Sequence, residues 1–187
     1  MGRIDDLAVQ FSRHISAPWQ RNLAGPQRTI FVVYDKTDER RLREKVGMFE
    51  EAVRVAGHKW ILFDVTDAFA RWMSSMEYRD SYFEEPTDLN LKLQSDFVKF
   101  LGGEIHEILN SDKADDDTIV AILGAGSLYG FTKVSMVIKE VEREVRGRLV
   151  LFFPGSYENH NYRLLDARDG WNYLAVPITL HGSEEPL

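Results

Sequence analysis

Three stretches of this chain carry residue types that could bind or transform a ligand. The first is Gly124-Ala-Gly126-Ser127-Leu-Tyr129-Gly130, where closely spaced glycines could leave backbone amides free to hold an anion at the start of a helix. It departs from every named pattern. Tyr129 stands where a dinucleotide fingerprint needs its third glycine, and Gly130-Phe131-Thr132 stands where a Walker A loop needs Gly-Lys-Ser/Thr, with Lys133 two places too late. Nor is Ser127 a nucleophile elbow, because Ala125 and Tyr129 replace its flanking glycines. A tight structural turn, a partner or ligand contact and phosphate chemistry remain the three readings of this run. The second stretch, residues 154 to 171, holds Tyr157, Asn161, Tyr162, Arg163, Asp166, Arg168, Asp169 and Trp171. That mixture of rigid aromatics and directional polar groups is typical of interface anchors. An eighteen-residue connection is also long for a linker inside a compact domain. Interface or ligand contact competes there with internal tethering by ion pairs. The third holds Asp35, which with Asp64 and Ser127 could form an acid–base set, though no pair has a recognised catalytic spacing.

Other chemistries are excluded or unsupported. The chain has no cysteine, so disulfides, thiolate zinc sites, iron–sulfur clusters and thiol catalysis cannot occur. Its five histidines are scattered, and His106-Glu107 begins a zincin motif that meets Asn110 where the second histidine belongs. Asp115-Asp116-Asp117 reads as a solvated turn before a strand. No metal or cofactor is expected. A net charge of −7 argues against general binding to a phosphate backbone. An acidic start at Asp5-Asp6 and the lack of any long apolar run suggest a cytoplasmic chain with no membrane partner.

The elements that must position these groups follow from hydrophobic spacing. In 187 residues with 44% hydrophobic content, area scaling allows about 70% of the chain's surface to be buried. Ile4, Leu7, Ala8, Phe11 and Ile15 predict a helix over 3–16, followed by a connector over 17–28. The near-continuous apolar runs at 29–34, 60–63, 119–123 and 149–153 predict strands covered on both faces, and 173–176 a fifth. Helices are expected from Asp38 to a stop at Gly57, after a Thr66 cap, over Phe97 to Ile108, and over Val134 to Val145. Residues 77–93 lack a clean period and read as an excursion. The alternation predicts an α/β fold, a three-layer α/β/α sandwich on a mostly parallel five-stranded sheet. One domain over 29–180 would follow the segment 1–28 and precede a polar tail over 181–187. In such sheets sites gather at the carboxyl ends of the strands, here Asp35-Lys36, Asp64, Gly124 to Ser127, and Pro154-Gly155.

Several stretches together resemble one family. They are Pro18-Trp-Gln-Arg-Asn-Leu-Ala-Gly25, Phe31-Val-Val-Tyr-Asp-Lys36, Leu123-Gly-Ala-Gly-Ser-Leu-Tyr-Gly-Phe131, and Arg148-Leu-Val-Leu-Phe-Phe-Pro-Gly155 running into Asn161-Tyr-Arg-Leu-Leu-Asp166. The chain is similar in these to the BrxB family of BREX bacteriophage-exclusion systems. That resemblance implies a non-catalytic component of a defence complex, encoded beside a methyltransferase, a large ATPase and the alkaline-phosphatase-like protein PglZ. It implies an adaptor with PglZ as direct partner, reaching nucleic acid at most indirectly. It also implies a sheet similar to a RecA/AAA core that has lost its phosphate loop, and it carries over no catalytic residues. The expected contact residues are Asp35, Lys36, Gly124, Gly126, Ser127, Tyr129, Asn161, Tyr162, Arg163, Asp166, Arg168 and Asp169. The alternative is a degenerate nucleotide- or nucleic-acid-binding domain of the same complex.

Overall fold

A computed structural model of the chain describes residues 2–180; the expected polar tail lies outside them. The first helix, α1 (Arg3–Ser16), buries the stripe Ile4, Leu7, Ala8, Phe11 and Ile15, as its three- and four-residue spacing requires. Asp5 and Asp6 occupy its first turn, where carboxylates complement the positive helix end. The first strand, β1 (Thr29–Tyr34), is buried along its whole length. Next, α2 (Glu39–Val55) turns Leu42, Phe49 and Val53 inward. It ends where His58 N donates to Val53 O (3.0 Å) and Gly57 adopts φ +84°, a left-handed stop that favours glycine.

The strand β2 (Lys59–Asp64) leads into α3 (Ala68–Ser75). The expected cap by Thr66 is not what forms: Asp64 Oδ1 instead accepts from Thr66 N (2.9 Å) and Thr66 Oγ1, and closes the turn. The aperiodic excursion becomes two short helices, α4 (Arg79–Glu84) and α5 (Leu89–Leu93). In α6 (Asp96–Leu109) the unfavourable Gly102 has a packing reason, since a Cβ there would sit 3.3 Å from Glu140 Cβ. After β3 (Thr118–Leu123), α7 (Val134–Val141) is shorter than its apolar spacing suggests, because residues 142–144 tighten into a 3₁₀ turn before Val145.

The expected long loop after the fourth strand is corrected by the structure. The strand β4 (Arg148–Glu158) runs on past Pro154 and pairs antiparallel with β5 (Asn161–Leu164), which pairs with β6 (Trp171–Asn172). Asn159 and His160, at φ 50° and 61°, make the two-residue turn between them, the left-handed pair that matches strand twist in a tight hairpin. The final strand is β7 (Val176–Ile178) and not 173–176.

The sheet order is β2-β3-β4-β1-β7, each neighbouring pair parallel, with β5 and β6 extending from β4. There are thus seven strands among the described residues, where five were expected. Alternation along the strands divides the core in two. Phe31, Val33, Val120, Ile122, Leu149, Leu151 and Phe153 face α3, α6 and α7, while Ile30, Val32, Ile119, Ala121, Val150 and Phe152 face α1 and α2. Burying each of these side chains other than Ala121 stabilises the fold by roughly 1.5–3 kcal/mol. The connector is held by Arg28, which donates to Val145 O (2.7 Å) and Arg21 O (2.8 Å). Trp19 stacks on His58 at 3.7 Å, with the Arg148 guanidinium 4.6 Å from its ring.

Candidate functional site

The expected site residues separate into a crest, a groove and a scaffold. The crest lies over the carboxyl ends of β1, β2 and β3, around a cleft of about 350 Å³ bordered by Lys36, Arg43, Thr66, Gly124, Ser127 and Leu165. Each cation there already has a partner. Lys36 pairs with Asp166, and Arg43 donates to Glu39 Oε1 (2.8 Å), Asp64 Oδ2 (2.9 Å) and Thr66 Oγ1 (2.7 Å). Tyr34 donates its hydroxyl to the other oxygen of Glu39. Burial pushes the Tyr34 hydroxyl well above the usual phenol range, and Glu39 adds to the shift. For Asp64, partial burial pulls upward, but hydrogen bonds from Thr66 and the Arg43 charge outweigh it and hold the carboxyl below its ordinary value. Asp35 is occupied within its own turn, accepting from Thr37 N (2.8 Å) and Thr37 Oγ1 (2.5 Å).

Several amides in and just after the glycine loop are likewise satisfied from within. Ser127 N donates to Gly124 O (2.9 Å), Tyr129 N to Gly126 O (3.2 Å), Phe131 N to Leu128 O (3.0 Å) and Thr132 N to Leu128 O (3.1 Å). An anion cradle needs such amides unpaired and convergent. Gly124 has φ +89°, and a Cβ there would fall 2.5 Å from Thr66 Oγ1 and 2.7 Å from Asp64 Oδ1. Its glycine is required by close packing of the chain on itself. Ser127 Oγ donates to Gly124 O (2.8 Å) and Val65 O (3.2 Å). Among the described residues no base is hydrogen-bonded to it, and a nucleophilic serine needs one. No group of three or more potential metal ligands occurs among the described residues.

The groove lies on the far side of the same loop, between the bend at Gly130, the start of α7 and the β5–β6 ribbon. It is about 590 Å³ and is bordered by Tyr129, Phe131, Lys133, Arg168, Asp169 and Trp171. Tyr129 is 48% exposed. Lys133 and Asp169 lie 4.0 Å apart and both are largely exposed, while Arg168 is exposed with no ion-pair partner among the described residues. A surface ion pair of that kind contributes little to stability. The groove therefore offers aromatic surface and uncommitted charge together.

Tyr162 is chiefly part of the scaffold, although it also borders the groove. It is 1% exposed, its hydroxyl donates to Ala175 O (2.9 Å), and its ring lies 4.5 Å from that of Phe31. Burial raises its hydroxyl well above the usual range. Asn161 serves the hairpin, donating to Asn159 O (3.1 Å). Arg163 is exposed on β5, opposite Ser156. Asp166 supports internal tethering through Lys36, whereas Arg168 and Asp169 remain at the open groove. Sequence reasoning missed Glu39 and Arg43, although their spacing of four on a helix is a pairing signal. It also missed Lys133 as a groove residue, having weighed it only as a misplaced phosphate lysine.

A family model described as BREX protein BrxB matches residues 62–178, well over half of the chain. The chain belongs to the BrxB family. The matched segment runs from the middle of β2 to the end of β7, and so takes in the glycine loop, the groove and the ribbon. It leaves out β1, which separates β4 from β7 in the sheet, and α2, which carries Arg43. No curated protein and no solved structure matches this chain. Family membership makes it a component of a BREX system. No helix among the described residues is long and apolar enough to cross a membrane.

Proposed function

We propose that this chain is a non-catalytic adaptor of a BREX defence system, and that it docks a PglZ-type protein in the groove between Tyr129 and Trp171. The observation that carries this reading is the contrast in polar satisfaction. On the crest, where a RecA/AAA-like core would grip a triphosphate, the Ser127 and Tyr129 amides donate to the glycine loop's own carbonyls and both cations are held by the chain's own carboxylates. In the adjoining groove, Tyr129 and Lys133 from the glycine-loop side and Arg168 and Asp169 from between β5 and β6 are exposed. Aromatic and arginine side chains of this kind carry most of the affinity at protein interfaces. The interposition of β3 and β4 between β2 and β1 supports a degenerate RecA/AAA-like sheet. The alternative, retention of a nucleotide on the glycine loop, is less well supported, because binding there would first have to break those internal bonds.

Co-purification of the full chain with the PglZ-type protein encoded beside it tests the proposal. Tyr129→Ala combined with Arg168→Glu is expected to weaken capture by at least roughly tenfold, as loss of interface anchors does, with an unchanged melting temperature. Full capture by this well-folded variant, or saturable Mg-ATP binding by the wild-type chain, would overturn it.

A further inference from the structure

We propose that β2 is a self-association edge, where two copies of this chain join their β2 strands antiparallel about Leu62 and merge their sheets. Among the described residues β2 ends the sheet and pairs only with β3, Lys59 lying beside Thr118 and Asp64 beside Leu123. Lys59 N donates to Asp117 O (3.0 Å) and Val65 N to Leu123 O (2.9 Å). The backbone groups of residues 59, 61, 63 and 65 therefore face β3, and those of Trp60, Leu62 and Asp64 face outward, because direction alternates along a strand. Exposed strand edges are ordinarily blunted by proline, a bulge or a central charge. Trp60-Ile-Leu-Phe63 has none of these; Leu62 is 40% exposed, and Ile61 and Phe63 are only partly covered.

The outward residues specify a second copy as the occupant. A twofold pairing must set outward-facing residues opposite one another, and only a pairing centred on Leu62 uses all three. Leu62 then meets Leu62 of the partner subunit, and Trp60 meets Asp64 of the partner subunit, each as a hydrogen-bonded pair. Between them Ile61 meets Phe63 of the partner subunit at the closer, non-hydrogen-bonded spacing. Ile61 and Phe63 thus match on one face and the two Leu62 side chains at the centre of the other, with each indole beside the partner's Asp64. A pairing centred on Asp64 would oppose two carboxylates, and one centred on Trp60 would leave Asp64 unpaired. The charges at the two ends are already neutralised within each copy, Lys59 by Asp115 and Asp64 by Arg43. No like charges face across the join.

Light scattering on the full chain is expected to give twice its mass of 21.6 kDa. Leu62→Pro removes an outward amide without touching a bond to β3, and Leu62→Lys sets two ammonium groups against each other. Both are expected to be monomers, and the lysine variant guards against misfolding of the proline one. The register is tested separately, because the chain has no cysteine of its own. Leu62→Cys places thiols on Cα atoms about 5.5 Å apart, within disulfide reach, and is expected to oxidise to a covalent dimer. Lys59→Cys puts the thiols six residues apart along the strands, roughly 20 Å, and is expected not to. A monomeric wild type would overturn the proposal and leave the edge to a foreign strand or to solvent. So would a dimer indifferent to both Leu62 substitutions, or equal cross-linking by Lys59→Cys. The Tyr129→Ala with Arg168→Glu variant is expected to keep the dimer mass, so failure here is distinguishable from failure of partner docking.

Discussion

The crest and the groove are two sides of one glycine loop, and they differ in where their polar groups are spent. On the crest, Gly124 presses against Thr66 and Asp64, Lys36 holds Asp166 across 130 positions of sequence, and Arg43 bridges Glu39 to Asp64. Beyond the Gly130 bend the loop opens. A Cβ at Gly130 would meet nothing within 4 Å, and Tyr129 stands in solvent. A phosphate site and a docking site both need polar groups that folding has not already paired. The crest's cations are tied by short hydrogen-bonded ion pairs; in the groove Lys133 and Asp169 make one loose, exposed pair and Arg168 has no ion-pair partner among the described residues. The glycine pattern reads similarly on both sides, so it is hydrogen-bond bookkeeping, not composition, that separates them.

The contrast depends on a rigid ribbon, and its anchor is Tyr162. Tyr162→Ala is expected to cost about 3–5 kcal/mol, the usual range for truncating a large buried aromatic. Tyr162→Phe should cost about 1–3 kcal/mol by leaving Ala175 O without its donor. Denaturant unfolding measures both. A Tyr162→Ala chain as stable as wild type would mean that the ribbon is not held as described, and the groove would lose its rigid wall.

A glycine pair sharpens the contrast within the loop. Gly124→Ala combines a left-handed backbone with a collision against Thr66 and Asp64, and should destabilise by roughly 2–3 kcal/mol. Gly130→Ala meets only the backbone penalty at φ +84° and should cost about 1 kcal/mol. Thermal or denaturant melts of the two variants should rank in that order, and the reverse order would contradict the packing described for the crest.

A smaller effect belongs to the opposite end of the sheet. Burial of His14 lowers its pKa, and Arg148 pushes the same way; burial also lowers that of His58. A histidine kept neutral by folding takes up protons in the unfolded chain first. Its contribution is therefore full above its ordinary value of about 6.5 and is lost as the pH falls through the depressed one. The melting temperature should drop between pH 7 and pH 5, and His14→Gln should make the slope shallower while leaving the part due to His58. Partner capture should not follow His14 across that range, since the residue is remote from the groove; a His14-dependent loss of capture would sink the separation of the two ends.

Much of the scaffold was legible in sequence because it rests on local periodicity. The buried runs at β1, β3 and β4 and the stripes on α1, α2 and α6 read directly as strands and helices. The failures have a common cause. The segment after Pro154 reads as a loop because alternation through Ser156-Tyr157-Glu158 and Asn161-Tyr162-Arg163 is short and polar on one face. The signal was Asn159, a residue that tolerates the left-handed turn. Tyr162 looks like an interface anchor in sequence because aromatic surface fills cores and interfaces alike, and only the packing of Phe31 and Phe153 around it settles which.

Side-chain spacing in the chain itself determined that this is an α/β protein without thiol chemistry, and its motif runs pointed to the BrxB family. Tertiary structure alone decided that Lys36 is consumed by Asp166, that the Ser127 and Tyr129 amides turn back on the glycine loop's own carbonyls, and that β2 is left at the edge. Periodicity is a property of neighbours in sequence. Whether a polar group is satisfied, or a strand flanked, depends on atoms brought close from anywhere in the chain, and no local pattern records that.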